Sequence, residues 1–369
     1  MKAVLLDVPR SAAVTIAVRP RPVPAAGEVL LRVELCGLCG SDFSACRFDG
    51  DGRPRYSGPL ALPVVLGHEA SATVEAVGDG VERVRLGQLV AVESVVSCWR
   101  CDTCLAGLPA QCERAELVGL SRDGALAEHV VVPERACFAL DSLLAAGRSR
   151  AEAAVAGALL EPLGVAYSAL FLVPRPLVAG EALVVYGLGA LGMLVGRLAR
   201  LAGASAIVGV DREEDKVAAA TAHGFDVALR ADLGLDDPSD LAAEIRRRLG
   251  RVGAELQVEV SGCPDGALPV AERLLAAGGR VVLLSRSRRP TPAAMDPWVS
   301  AAGSLVGLRG RVDGRAYGRL LALFAGGRLV ARDLVARFVG IDEVPAILLD
   351  DRPQPPGKTI AVVGGEAPW

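Results

Sequence analysis

The sequence predicts an α/β chain in two parts: a β-rich lobe of barrel or sandwich type, and a parallel sheet covered by helices. Three observations carry this. Short β-branched runs separated by Gly and Pro fill the first 150 residues. From about residue 155, strands alternate with segments of helical spacing. Finally, 51% of the 369 residues are apolar or aromatic and only 22% are charged, which suits a large folded chain of roughly two to three domains.

Taken in order, Val29–Val33, Ala72–Val77 and Val130–Val132 read as strands. Pro20, Pro22, Pro24, Gly27, Gly78, Gly80, Gly87 and Pro133 punctuate them. Leu183–Tyr186 is a buried-type strand running into Gly187. Leu191–Ala202 has helical spacing and Ala206–Val210 is the next strand, which makes a βαβ unit. Helices follow over Asp215–His223, Leu241–Leu249 and Ala267–Ala276, with strands at Leu256–Val260, Arg280–Leu284 and Leu305–Leu308. The tail from Ala316 carries an amphipathic helix and ends in the strand Thr359–Val363, with Pro353–Pro356 as a loop.

Charge and composition exclude several classes. Lys plus Arg is 40 and Asp plus Glu is 43, a net charge of −3, which argues against a nucleic-acid-binding surface. MKAVLLDVPR meets Asp7 and Pro9 before an apolar signal region can form. Ala153–Val173 is apolar enough to suggest a membrane span. However, Glu161 lies near its middle, and a carboxylate at a bilayer centre costs roughly 2.5–3.5 kcal/mol. The expectation is a cytoplasmic chain without a membrane segment. Nine cysteines, an odd number, cannot form a complete disulfide framework, and their spacing favours metal.

Three motifs carry chemistry. Cys98, Cys101, Cys104 and Cys112 place four thiols within 15 residues, able to enclose a tetrahedral zinc at about 2.3 Å per sulfur. With no open position, such a site is structural. Gly187-Leu188-Gly189-Ala190-Leu191-Gly192 follows a strand and opens a helix, and Asp211 ends the next strand, as a dinucleotide fingerprint requires. Asp211 would accept the adenosine ribose hydroxyls and repel a 2′-phosphate, favouring NAD. Arg212 beside it could receive that phosphate, so NADP stays open. A methyltransferase-type sheet also places glycines in such a loop.

The third constellation, Cys39-Gly40-Ser41-Asp42, Gly67-His68-Glu69 and Glu161-Pro162, offers a thiolate, an imidazole and carboxylates. This mixed set leaves a zinc position open for water or substrate. Alone, His68 reads as a core histidine and Cys39 as a partly buried thiol; Cys36 and Cys39 could instead be a redox pair.

Together these residues resemble the zinc-dependent medium-chain dehydrogenase/reductase family, the alcohol and polyol dehydrogenases, from Met1 to about Val363. In motif they are closest to sorbitol, threonine and aminocyclitol dehydrogenases. The resemblance implies a GroES-like β-barrel catalytic domain over residues 1–160, with a structural zinc lobe at about 94–115. A Rossmann NAD-binding domain follows over 161–308, and the chain returns to the catalytic domain over 309–369.

It implies two zincs per chain. Cys39, His68 and Glu161 are ligands of the catalytic one, with Glu69 a ligand or a neighbour of the ligands. Ser41 passes on the alcohol proton and Asp42 orients the histidine. Lys216 lies near the adenosine, and Lys358, in the final Gly-Lys-Thr, contacts the cofactor pyrophosphate. The chain has only three lysines against 37 arginines, and two of the three fall on these cofactor positions.

The implied activity is hydride transfer from a secondary alcohol (polyol, cyclitol or amino alcohol) to NAD(P), in specialised metabolism, by a homodimer or homotetramer. The alternatives are a zinc-free reductase acting on activated double bonds, or a zinc ribbon that binds nucleic acid. Ser44 departs from the family, standing where many members end the proton relay with a histidine. Ala72 and Gln88 also depart, as structural changes. Arg286, Arg288 and Arg289 follow the strand near the expected nicotinamide position and read as a solvated loop or as contacts to an anionic group.

Overall fold

A computed structural model describes residues 1–7, 13–287, 290–309, 314–364 and 367–368. The chain forms two compact units. The first comprises Met1–Gly164, Arg311–Arg352 and Lys358–Trp369; the second comprises Val165–Gly310 and Pro353–Gly357.

The first unit is mostly antiparallel. Its strands are β1 (Lys2–Asp7), β2 (Ala13–Val18), β3 (Glu28–Gly37), β4 (Val64–Val65), β5 (Glu69–Val77), β6 (Leu89–Val92), β7 (Val95–Val96), β8 (Glu116–Leu117), β9 (His129–Pro133) and β10 (Cys137–Ala139). The second unit supplies β11 (Ala182–Tyr186), β12 (Ala206–Asp211), β13 (Val227–Arg230), β14 (Ala254–Glu259), β15 (Leu275–Leu283) and β16 (Ser304–Gly307). The chain then returns through β17 (Val335–Gly340) and β18 (Lys358–Val362). Helices are α1 (Gly40–Cys46), α2 (Asp102–Leu105), α3 (Asp141–Ala145), α4 (Arg150–Phe171), α5 (Ala190–Leu201), α6 (Glu214–Ala219), α7 (Pro238–Leu249), α8 (Pro264–Arg273), α9 (Met295–Ala301), α10 (Gly314–Ala325) and α11 (Val344–Leu349).

The main sheet of the first unit runs β10-β6-β5-β3-β18-β17, with β9 also on β3; a second sheet runs β2-β1-β4. Val29, Leu31 and Val33 of β3, and Ala70, Ala72 and Val74 of β5, alternate into one aliphatic core. β18 arrives from the end of the chain and pairs antiparallel with β3, Ile360 opposite Gly37. That register brings Lys358 to the strand ends where the candidate site lies.

The second unit is a six-stranded, all-parallel sheet ordered β13-β12-β11-β14-β15-β16. This is the 3-2-1-4-5-6 order of a doubly wound sheet, with β11 at the switch point where ligands bind. β13 lies outside the sequence expectation. Its Val-Ala-Leu-Arg run is too short and too exposed to signal a strand, and only its ladder to β12 makes it one.

The helix expected at Ala267–Ala276 begins earlier, at Pro264, and ends at Arg273. The chain is thereby free to enter β15 at Leu275. The helix expected at Asp215–His223 is α6 followed by a tighter turn at Ala220–His223, closed by Gly224 at φ 96°.

α4 explains the apolar stretch that resembled a membrane span. Ser149 and Glu152 cap its start reciprocally: Ser149 N–H donates to Glu152 at 2.8 Å and Glu152 N–H to Ser149 Oγ at 3.2 Å. It is the described helix long and apolar enough to cross a membrane, and 89% of its apolar window is buried inside the protein.

Candidate functional site

The four-cysteine motif is assembled by short local structure. Cys98, Cys101, Cys104 and Cys112 bring their sulfurs within 4.8 Å of one another. A tetrahedron with about 2.3 Å zinc–sulfur bonds has edges of about 3.8 Å, and Cys101 Sγ lies 3.9 Å from Cys112 Sγ. The amides of Cys98 and Arg114 donate to Cys112 Sγ at 3.3 and 3.4 Å. Hydrogen bonds led by the Arg100 amide hold the Cys98 thiol down at about 6, while desolvation pushes Cys104 up to about 12. The donor set fits a closed zinc site.

The second cluster joins distant segments. Cys39 precedes α1, His68 lies just before β5, and Glu69 begins it; their ligand atoms also lie within 4.8 Å of one another. Asp42, fully buried in the first turn of α1, ties these pieces together. Its Oδ2 accepts the Cys39 amide at 2.9 Å and its Oδ1 the Gly67 amide at 3.3 Å, while His68 Nδ1 stands 3.7 Å from Oδ1. Ser41 Oγ is 3.2 Å from His68 Nε2, within hydrogen-bond distance.

Burial disfavours a charged His68, but Asp42, Cys39 and Glu161 outweigh it and raise the histidine pKa well above its ordinary value. Positive charge is therefore stabilised here, as a metal centre requires. One thiolate, one imidazole and carboxylates fit a catalytic zinc with a position left open.

Glu69 and Lys358 form a buried ion pair at 2.5 Å. Gly37 makes it possible. It pairs with Glu69 across β3–β5, and a Cβ there would overlap the Glu69 carboxylate and press on Lys358 Cε. Burial works against the Lys358 charge, yet Glu69, Cys39 and Glu161 raise its pKa. The register of β18 places the Lys358 ammonium on Glu69; the pyrophosphate contact expected of it would use another of its three donors.

Glu161 does not join the three-residue group, although it acts electrostatically on His68. Burial raises its own pKa against the pull of His68, and its Oε1 accepts a hydrogen bond from Ser94 Oγ at 2.6 Å. The Ser94 contact escaped sequence reasoning, since nothing in Val-Glu-Ser-Val marks a site. Gly157 escaped it too. One turn before Glu161 and on the same face, it lets α4 come close to β5, where an added Cβ would lie 2.6 Å from Leu140 Cδ1 and 2.9 Å from Ser71 Cβ.

Gly157→Ala is accordingly expected to lower the urea midpoint. Overpacking of about 1–3 kcal/mol exceeds the gain of about 1 kcal/mol in helix propensity. Activity is expected to fall with it, as Glu161 is displaced. A raised midpoint with full activity would contradict this account of the approach.

In the second unit, Gly187 follows the switch-point strand β11 at φ 99°, where glycine is favoured, and a Cβ at Gly192 would overlap the Gly187 carbonyl. Gly189 caps α5 with open space around it, so Leu188, Ala190 and Leu191 frame a cradle at the helix start. Asp211 Oδ2 accepts the Leu188 amide at 2.7 Å and Oδ1 the Glu213 amide at 2.9 Å, with Lys216 Nζ 3.9 Å away. Two amides leave lone pairs on the carboxylate for ribose hydroxyls, so the loop fits a dinucleotide. Arg212 is exposed and turned to Glu213 at 3.0 Å. Ser44 Oγ donates to the Gly40 carbonyl at 2.8 Å. Arg286 is exposed, and Arg288 and Arg289 lie outside the described residues.

Comparison with known proteins agrees with this geometry. Residues 25–142 match the alcohol dehydrogenase GroES-like domain family, and residues 190–325 the zinc-binding dehydrogenase family. A scyllo-inosose 3-dehydrogenase of Thermotoga maritima is 26% identical over 329 residues, 86% of this chain and 81% of the relative. An L-threonine 3-dehydrogenase of Bacillus velezensis is 31% identical over 271 residues, 73% of this chain and 72% of the relative. The solved structure of a protein assigned as a zinc-binding dehydrogenase, from Sinorhizobium meliloti 1021 and bound to NADP, superposes with a TM-score of 0.83. It is 25% identical and the match covers 98% of both chains.

Proposed function

Because the chain belongs to the zinc-dependent medium-chain dehydrogenase/reductase family of alcohol and polyol dehydrogenases, and is an NAD(P)-linked oxidoreductase, we propose that it oxidises a secondary alcohol in a polyol, cyclitol or amino alcohol. The observation that carries the reading is the convergence of Cys39, His68 and Glu69 from separate segments, with Glu161 buried within electrostatic reach. Carboxylate in place of a second thiolate makes a harder metal centre, suited to hydroxyl-rich substrates. The names of the cyclitol and threonine relatives point the same way.

Zinc held by Cys39 and His68, with Glu69 or Glu161, would supply the Lewis acid that lowers the alcohol pKa, and the nicotinamide would accept the hydride. The chain's own residues do the rest. Asp42 fixes the Cys39 backbone and the His68 ring, and Lys358 neutralises Glu69. Ser41, whose hydroxyl both donates and accepts, takes the alcohol proton. Ser44 is engaged with Gly40, so that proton leaves by water or another hydroxyl. Gly187–Gly192 seats the pyrophosphate, Asp211 the ribose hydroxyls, and Lys216 and Arg212 border the adenosine. The carboxylate of Asp211 favours NAD over NADP.

Nine free thiols suit a reducing, cytoplasmic setting. A homodimer or homotetramer through β16 is supported by that strand's place at the sheet edge. Leu305 on it is 46% exposed and Val299 on α9 is 79% exposed.

The test is NADH formation across a panel of polyols, aminocyclitols and amino alcohols, with NAD and NADP and with metal analysis. Two zincs per chain, turnover preferring NAD, and its loss to a chelator are expected. A zinc-free chain that reduces activated double bonds would overturn the reading.

A further inference from the structure

Ser94 lies between β6 and β7 and is 5% exposed. Its Oγ stands 2.6 Å from Glu161 Oε1 and 3.5 Å from Glu93 Oε1. A hydroxyl has one proton to give. The shorter distance is that of a strong bond to a carboxylate and the longer one is at the limit of any bond, so the proton belongs to Glu161. Glu93 Oε1 is served by the Val95 amide at 3.2 Å. Among the described residues, Ser94 supplies the hydrogen bond to the Glu161 carboxylate.

That carboxylate has few other restraints. It projects from α4 on the residue before Pro162 and is 6% exposed. It stands outside the group formed by Cys39, His68 and Glu69, yet acts on His68 and Lys358 through its charge. Glu69 and Glu161 are therefore held by different devices: Glu69 by an ammonium, Glu161 by a hydroxyl.

We infer that Ser94 is a positioning residue for Glu161: its proton holds Oε1 and so fixes the direction in which the carboxylate is offered to the Cys39–His68 centre. The inference rests on the reading of that centre as a zinc site. A carboxylate so held is a donor of set direction. Freed of the hydroxyl, it can turn, and the donor geometry of the centre changes. Partners of this kind, hydrogen-bonded to a ligating group, typically carry 10–100-fold in metal affinity.

The test loads cobalt(II) into wild type, Ser94→Ala and Ser94→Thr and follows the visible spectrum, with metal release to a chelator. Ser94→Ala is expected to bind cobalt at the Cys39 centre about 10–100-fold more weakly. Its ligand-field bands are expected to shift while the thiolate charge-transfer band persists, and Ser94→Thr restores both. Metal retained by the four cysteines reports that the variant is folded. Should Ser94→Ala lose that metal as well, Ser94→Cys decides in its place: a near-isosteric, weaker donor expected to give an intermediate affinity and shift.

Unchanged affinity and bands in the deciding variant overturn the inference, as does a loss that Ser94→Thr does not restore. A wild-type chain that takes up no cobalt beyond the four-cysteine site overturns the zinc reading itself, and this inference with it.

Discussion

Cys39→Ser is expected to reduce kcat/KM by on the order of 10³-fold or more. It should halve the zinc content from two to one per chain, with little change in thermal midpoint. A Lewis acid at the reacting oxygen is worth several kcal/mol of transition-state stabilisation, and each 1.36 kcal/mol is about tenfold in rate. The hydroxyl of serine keeps the volume of the thiol but is a poor zinc ligand, so the fold around α1 should survive. Asp42 holds position 39 through its backbone amide, which the substitution leaves in place. Kinetics, metal analysis and calorimetry on one preparation separate the outcomes. Full activity with one zinc per chain would sink the assignment of Cys39.

Cys112→Ser acts at the other centre and in the other way. The lobe from Cys98 to Cys112 contains only the four-residue helix α2 and a three-residue turn at Pro109–Gln111, so little besides sulfur ligation can hold it. Cys112 is 3% exposed and accepts two amide hydrogen bonds on its sulfur. Structural zinc contributes folding free energy directly, with apparent binding of about 10–16 kcal/mol in zinc-finger peptides. Losing even a quarter of that would lower the thermal midpoint by about 10 °C, at roughly 2–4 °C per kcal/mol for a unit of this size.

One zinc should remain, and limited proteolysis should cut between residues 98 and 112. Activity would be lost through unfolding, so it should survive at low temperature where Cys39→Ser stays inactive. An unchanged midpoint and proteolytic pattern would show that the four sulfurs do not carry the lobe.

The two centres also differ in how far sequence could reveal them. The four cysteines fall within 15 residues, where chain length alone keeps the sulfurs together. The glycine loop is equally local: Gly187 needs its positive φ, and Gly192 needs room beside Gly187, six residues inside one strand–turn–helix. For both, spacing in the sequence is already spacing in space. The doubly wound sheet follows from the same kind of signal, strands and helices alternating at short range, though β13 shows its limit. An edge strand held by its ladder has no pattern of its own.

The cluster of Cys39, His68 and Glu69 is of the other kind. These residues and their neighbours Glu161 and Lys358 come from distant stretches, and the resemblance to a family named them without saying which touch. By itself, the sequence determined the fold class, the four-sulfur centre, the dinucleotide loop and the residue types available for a catalytic metal. Tertiary structure decided the rest, because strand register and helix approach are set by packing over hundreds of residues and not by local spacing.

The pairing of β18 with β3 puts Lys358 on Glu69, a contact that no motif named. The close approach of α4 at Gly157 brings Glu161 within reach of Ser94, a residue that no motif marked.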